Sequence, residues 1–162
     1  MIYYFGTKHQ LFEQAIGDAD ADFYARLWPE LDQLESALAR IACLIVRSST
    51  SEWVLWMDLW VYARRHPEML GTERAFHSRW RTTIADVIRY GQARGEFNPV
   101  DPDGAAVRLA ALTDGLAIRM VLEEHAFTPA DYVAMSLQSV AAELGCALGS
   151  LQEAATALGA AE

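Results

Sequence analysis

Apolar residues recur at every third or fourth position along nearly the whole chain, and no stretch sustains a period-two alternation or offers an Asn-Gly hairpin turn. That periodicity restricts the chain to an all-α fold, because a helix gathers positions three and four apart onto one face whereas a strand gathers alternate positions. Proline, glycine and capping residues divide the pattern into an antiparallel bundle of about six helices.

The first helix is expected to open with Thr7 as N-cap, Gln10 completing a capping box, and to end near Leu27 because Pro29 follows. Leu11, Phe12, Ala15, Ile16, Ala19, Phe23 and Leu27 form its apolar stripe, which leaves Glu13, Gln14, Asp18, Asp20 and Asp22 on the solvated side. A second helix is expected over Leu31 to Val46, before the break Ser48-Ser-Thr-Ser51. The third, Glu52 to Arg65 with Ser51 as cap, is apolar nearly all round and is expected to be the central, most buried helix. Arg64, Arg65 and His66 complement its C-terminal dipole, and Pro67 stops it. The fourth spans Glu68 to Arg94, with Gly95 as its stop. Asp101 caps a fifth, Pro102 to Leu122, and Thr128 a sixth, Pro129 to Leu148. From Gly149 the chain is Ala-rich, a tail that extends the last helix or frays.

The fifth helix carries the small side chains Ala106, Ala110, Thr113 and Ala117 on one face, and the sixth carries Val133, Leu137, Val140 and Leu144 on one stripe. Two such helices from each of two copies can build a four-helix seam, so these eight residues are the expected interface of a homodimer.

Composition narrows the function. A hydrophobic fraction of 52% in 162 residues supplies one packed core. The formal charge of -9 has the wrong sign for neutralising phosphates along a duplex, so weak or absent DNA binding is expected of this chain alone. Cys43 and Cys146 lack metal-site spacing and read as small buried apolar residues. Neither a signal-peptide start nor an uncharged stretch of about 18 apolar residues occurs, so no membrane association is expected and the cytoplasm is the expected compartment.

Several chemistries are excluded by spacing. Asp18-Ala-Asp-Ala-Asp22 imitates the start of a calcium loop, but the loop's Gly and Glu positions hold Phe23 and Pro29. No Glu-x-x-His pair, H-E-x-x-H, phosphate-binding glycine loop or G-x-S-x-G elbow is present. Neither catalysis nor a cofactor or metal is expected. What stands out is the aromatic load: Trp53, Trp56 and Trp60 on the third helix with Met57 among them, then Phe76 and Trp80 on the fourth with His77 at the border of that stripe. These either pack as a solid core or line a cavity between helices, with His77 and Asp114 as polar anchors. Aromatic walls with a carboxylate favour a cationic ligand through cation–π attraction; an apolar ligand is the other option.

Tyr3-Tyr-Phe-Gly-Thr-Lys-His-Gln-Leu-Phe12 resembles the junction between the recognition helix and the connecting helix of TetR-family transcription regulators, whose pattern is two aromatics, Phe-Gly-Ser/Thr-Lys, two variable residues and Leu-Phe. Trp56, Arg64-Arg-His-Pro67, Arg79-Trp80-Arg81, Gly91…Gly95-Glu-Phe97 and Leu112-Thr-Asp-Gly-Leu116 extend the resemblance over nearly the whole chain, toward the branch of choline- and betaine-responsive repressors. The resemblance implies a remnant of the helix-turn-helix domain at residues 1–6, an effector-binding and dimerising helical domain at 7–148, and a tail at 149–162. It further implies a repressor that binds operator DNA as a dimer and repositions its reading heads when a small molecule binds. Tyr3, Tyr4, Thr7 and Lys8 match phosphate-contacting positions of the family. The alternative is a helical protein-interaction module with a solid aromatic core and no ligand.

Overall fold

Seven α-helices, and no strand, occur among the residues that the computed structural model describes, 8–49, 52–122 and 126–159, with Lys8 and His9 described by backbone alone. They are α1 (Lys8–Gln33), α2 (Ala37–Ser48), α3 (Trp53–Arg65), α4 (Leu70–Ala93), α5 (Pro102–Val121), α6 (Pro129–Leu144) and α7 (Leu148–Ala157). A single 3₁₀ turn, Pro67–Met69, joins α3 to α4.

Most boundaries follow local chemistry. Ser36 caps α2 by accepting from the amides of Leu38 and Ala39. Asp101 caps α5 through the Gly104 amide, with Pro102 in the first turn. Thr128 and Asp131 form a reciprocal capping box at α6. Gly95 (φ 71°) follows α4 in the left-handed conformation. The expected caps Thr7 and Ser51 lie outside the described residues.

Several boundaries differ from expectation, and α2 opens at Ala37 and not at Leu31, which lies within α1. Pro29 does not end α1, which continues to Gln33. Proline removes one helical hydrogen bond, and here tertiary contacts outweigh that loss: Leu27 and Leu31, on either side of it, are almost wholly buried, and Glu30 holds Arg47 of α2 through two hydrogen bonds. The described part of the Ala-rich tail is neither frayed nor an extension of α6. Gly145 (φ 64°) breaks the chain in a left-handed turn, the Asn98 amide donates to the last α6 carbonyl at 2.9 Å, and α7 folds back to bury Leu151 and Ala155 against α2.

The core also has a different centre from the one expected. In α3 only Trp53, Leu59 and Ala63 are buried, and Val54 and Val61 are more than half exposed. The central helix is α2, where eight of twelve residues are buried and which packs against α1, α4, α6 and α7. Its Cys43 is buried, and desolvation pushes the thiol up to about 12; Cys146 is half-buried.

Gly91 marks where α4 meets the loop before α5. A methyl group there would overlap the Phe97 ring and come within 2.9 Å of Ala37 Cβ. Gly91→Ala is therefore expected to lower the unfolding free energy by about 1–3 kcal/mol, visible as a lower urea midpoint at unchanged slope. A change below about 0.5 kcal/mol would show that Phe97 simply swings aside.

Candidate functional site

Side chains of α1, α3, α4 and α5, with the last residue of α2, line a cavity of about 630 Å³ that includes the solvent at its mouth. Its walls are Phe23 and Tyr24 from α1, Ser48 from α2, Trp53, Trp56, Leu59 and Trp60 from α3, and Phe76 and Trp80 from α4. Three carboxylates join them: Asp20, Glu73 and Asp114. The rings are held edge to face or tilted, as aromatic quadrupoles prefer: Trp56 meets Phe76 at 74°, Phe23 meets Trp80 at 71°, and Trp53 meets Trp60 at 54°. Trp53 is further fixed by its indole N–H, which donates to the Ser48 carbonyl at 2.6 Å. The Trp80 indole N–H is buried with no acceptor among the described residues.

Each carboxylate has a cationic partner. Arg79, itself outside the lining, donates to Asp20 Oδ2 at 2.6 Å and stacks its guanidinium 3.6 Å above the Tyr24 ring. Asp20 is only 6% exposed, and desolvation raises its carboxyl pKa, with Arg79 pulling the other way. Both ring nitrogens of His77 face carboxylates: Nδ1 lies 2.7 Å from Glu73 Oε1, one turn earlier on α4, and Nε2 lies 3.1 Å from Asp114 Oδ2 on α5. Chiefly through the Asp114 bond, opposed by burial and aided by Glu73, the imidazole holds its second proton above the ordinary histidine range. With His77 doubly protonated, three carboxylates of the lining face the two cations Arg79 and His77, one negative charge in excess among the aromatic walls.

A raised histidine pKa is also a stability statement. Because the folded state binds the proton more tightly than the unfolded chain, the His77 contribution is complete below about pH 6.5 and fades as pH rises through the folded value. The stability difference between the wild-type chain and His77→Gln is expected to shrink between about pH 6 and about pH 9, measured by urea unfolding at each pH. A difference that stays constant or grows would contradict the doubly bonded imidazolium.

Of the expected ligand-site residues, Trp53, Trp56, Trp60, His77, Trp80 and Asp114 meet in this one cavity. Met57 does not: it is half-buried and absent from the lining. Phe76, expected in the same aromatic cluster, lines it too, whereas sequence reading missed Asp20, Phe23, Tyr24, Ser48, Leu59 and Glu73 as wall residues. Asp20, expected on the solvated side of α1, is instead buried in line with Ile16, Tyr24, Leu27 and Leu31. The i,i+4 pairs Asp20–Tyr24 and Glu73–His77 were the available signal.

The eight expected dimer residues are buried within the single chain. Ala106, Ala110, Thr113, Ala117, Val133, Leu137, Val140 and Leu144 are all 8% exposed or less within the single chain, because they seal α5 and α6 against α2, α4 and each other. The side chains of Tyr3, Tyr4, Thr7 and Lys8 lie outside the described residues. Among the described residues no helix is long and apolar enough to cross a membrane.

The model of the BetI-type transcriptional repressor C-terminal domain matches residues 31–145. Among solved structures, the chain is similar to a candidate transcriptional regulator from Saccharomonospora viridis in complex with choline, at 26% identity and a TM-score of 0.81, over 86% of this chain and 76% of that one. Comparison with curated proteins gives no match.

Proposed function

This chain belongs to the TetR family of transcription regulators, with a C-terminal domain of the BetI type, and from that premise we propose that its cavity binds a small organic cation as the effector of a dimeric repressor. The observation that carries the reading is the excess negative charge set among aromatic faces. Aromatic rings attract a cation through their quadrupoles without needing hydrogen-bond donors from it. All three carboxylates already accept from protein donors, so a cation lacking N–H groups loses little here compared with a primary amine. The space inside the aromatic cluster favours this reading over a solid-core interaction module.

Tryptophan fluorescence and calorimetry test it directly, with choline compared to its neutral isostere 3,3-dimethylbutan-1-ol. Choline is expected to bind at least about tenfold more tightly, a difference of about 1.4 kcal/mol, within the range for desolvated cation–π contacts. Equal affinity for the two, or binding of neither, would remove the cation reading.

Pairing is proposed through the outward faces of α5 and α6. Val107 and Met135 are each 46% exposed there, with Ala111, Gly115 and Ala134 exposed beside them. Small residues let helices approach closely, and the large apolar ones supply burial. The chain is expected to run as a dimer by light scattering and Val107→Arg as a monomer; identical masses for both would move the interface elsewhere. In the intact regulator, cation binding among α1, α3, α4 and α5 then adjusts the relation of α1 to the paired helices, and through it the fit to operator DNA.

A further inference from the structure

We infer that His77 is the charge-selecting residue of the cavity: a cationic ligand and the second proton of the His77 ring compete for the same two carboxylates, so that binding the cation drives the ring toward its neutral form. The inference rests on the cavity being a cation site and adds the residue through which pH sets its affinity.

Carboxylates only accept hydrogen bonds, and a neutral imidazole donates from one nitrogen alone. The contacts of Nδ1 with Glu73 and of Nε2 with Asp114 are therefore satisfied together only when the ring carries two protons. The ring stacks on Trp60 at a centroid distance of 5.8 Å and an angle of 21°, so a resident cation covers one face of an indole in the cavity wall. Its position is a partition. Trp60, Glu73, His77 and Asp114 line the aromatic cavity and also an outer depression completed by Ala63, Arg64 and Leu70.

Charged groups face the ring from every packed element. Glu73 lies on its own helix, Asp114 comes from α5, Arg64 from α3 on the depression side, and Asp20 from α1 across the cavity, where Arg79 already holds it. Arg81 bonds the His77 carbonyl. Within this set the histidine has the ordinary pKa nearest neutrality. When it loses a proton, one positive charge leaves the wall and the bonding of Glu73 and Asp114 loosens. An incoming cation then meets less repulsion and more available carboxylate. By reciprocity the cation weakens proton binding by the same factor as the proton weakens cation binding.

A like charge at this range shifts a titration by about one unit, or tenfold in affinity. Tetramethylammonium is accordingly expected to bind the full chain about three- to tenfold more tightly at about pH 9 than at about pH 6. At about pH 7 its binding is expected to release a fraction of a proton, read by calorimetry as heats that differ between buffers of unlike ionisation enthalpy. His77→Gln, which keeps hydrogen bonding but not charge, is expected to bind with pH-independent affinity and no buffer-dependent heat. Independently of any variant, the His77 ring resonances should titrate at lower pH when tetramethylammonium is present. A wild-type affinity flat with pH, or a His77→Gln protein that keeps the slope, overturns the inference and leaves the cation site standing. Absence of saturable binding at every pH overturns both.

Discussion

Leu44→Ala will lower the unfolding free energy by about 3–5 kcal/mol, the upper range for emptying a fully buried leucine site. Leu44 is 0% exposed and sits on α2, the helix that four others pack against. The site collapses poorly because its neighbours belong to several separately anchored elements, so most of the lost volume remains as a cavity. Against a typical domain stability of about 5–15 kcal/mol the loss is severe. Urea unfolding followed by circular dichroism should show a much lower midpoint with little change in slope. Val54→Ala on α3 provides the contrast: its side chain is 53% exposed, and the expected loss is under about 1 kcal/mol. Similar losses at the two positions would mean that α2 is not the structural centre.

The second large effect concerns the ligand. Glu73→Gln combined with Asp114→Asn removes two of the three carboxylates that face the cavity and turns its excess negative charge into a neutral or positive one. Choline affinity is expected to fall by about thirty- to hundredfold, or about 2–3 kcal/mol, the scale of close charges in a partly desolvated site. The neutral isostere controls for damage to the walls, since its affinity should change by less than about threefold while the cavity keeps its shape. If both ligands weaken together, the substitutions have disturbed packing and not charge.

Asp20 extends the same logic to stability. Its buried carboxyl has a raised pKa, desolvation outweighing Arg79, so the folded state favours the neutral acid. Asp20 therefore supports folding most fully below about pH 4, and that support is lost as pH rises through the folded value. At neutral pH the charge works against the fold. Asp20→Asn is expected to leave the chain as stable as wild type at neutral pH or more so, by up to about 1 kcal/mol, while weakening cation binding. A large loss of stability, above about 2 kcal/mol, would instead make the Arg79 pair structural.

Helical periodicity carried the fold, because the physical rule behind it acts within each segment: caps at Asp101 and Thr128 and the left-handed Gly95 follow from local backbone chemistry. Where segments interact, sequence misled. Pro29 reads as a stop until the burial of Leu31 and the Glu30–Arg47 pair are known. The all-round apolar pattern of α3 reads as deep burial, yet it arises because one side faces a cavity while Val54 and Val61 face outward. The small faces of α5 and α6 read as a seam between copies, and they are the seam within one. In the cavity, the tryptophans, His77 and Asp114 were legible because large aromatics with isolated polar groups are unusual on buried helices. Asp20 and Glu73 were not, since an acid on a helix ordinarily points to water and only the opposite wall shows otherwise.

The contrast between α2 and α3 carries into time. α2 is gripped by side chains on several sides, so its amides open only when most of the domain does. α3 leans on empty space, and Val54 and Val61 on its outer surface are more than half exposed. Its peptide groups are expected to open in smaller, cheaper excursions and to take up deuterium before those of α2. Whatever fills the space lends α3 the neighbours it lacks, so occupancy is recorded as slowed exchange along one helix before any displacement is large enough to see.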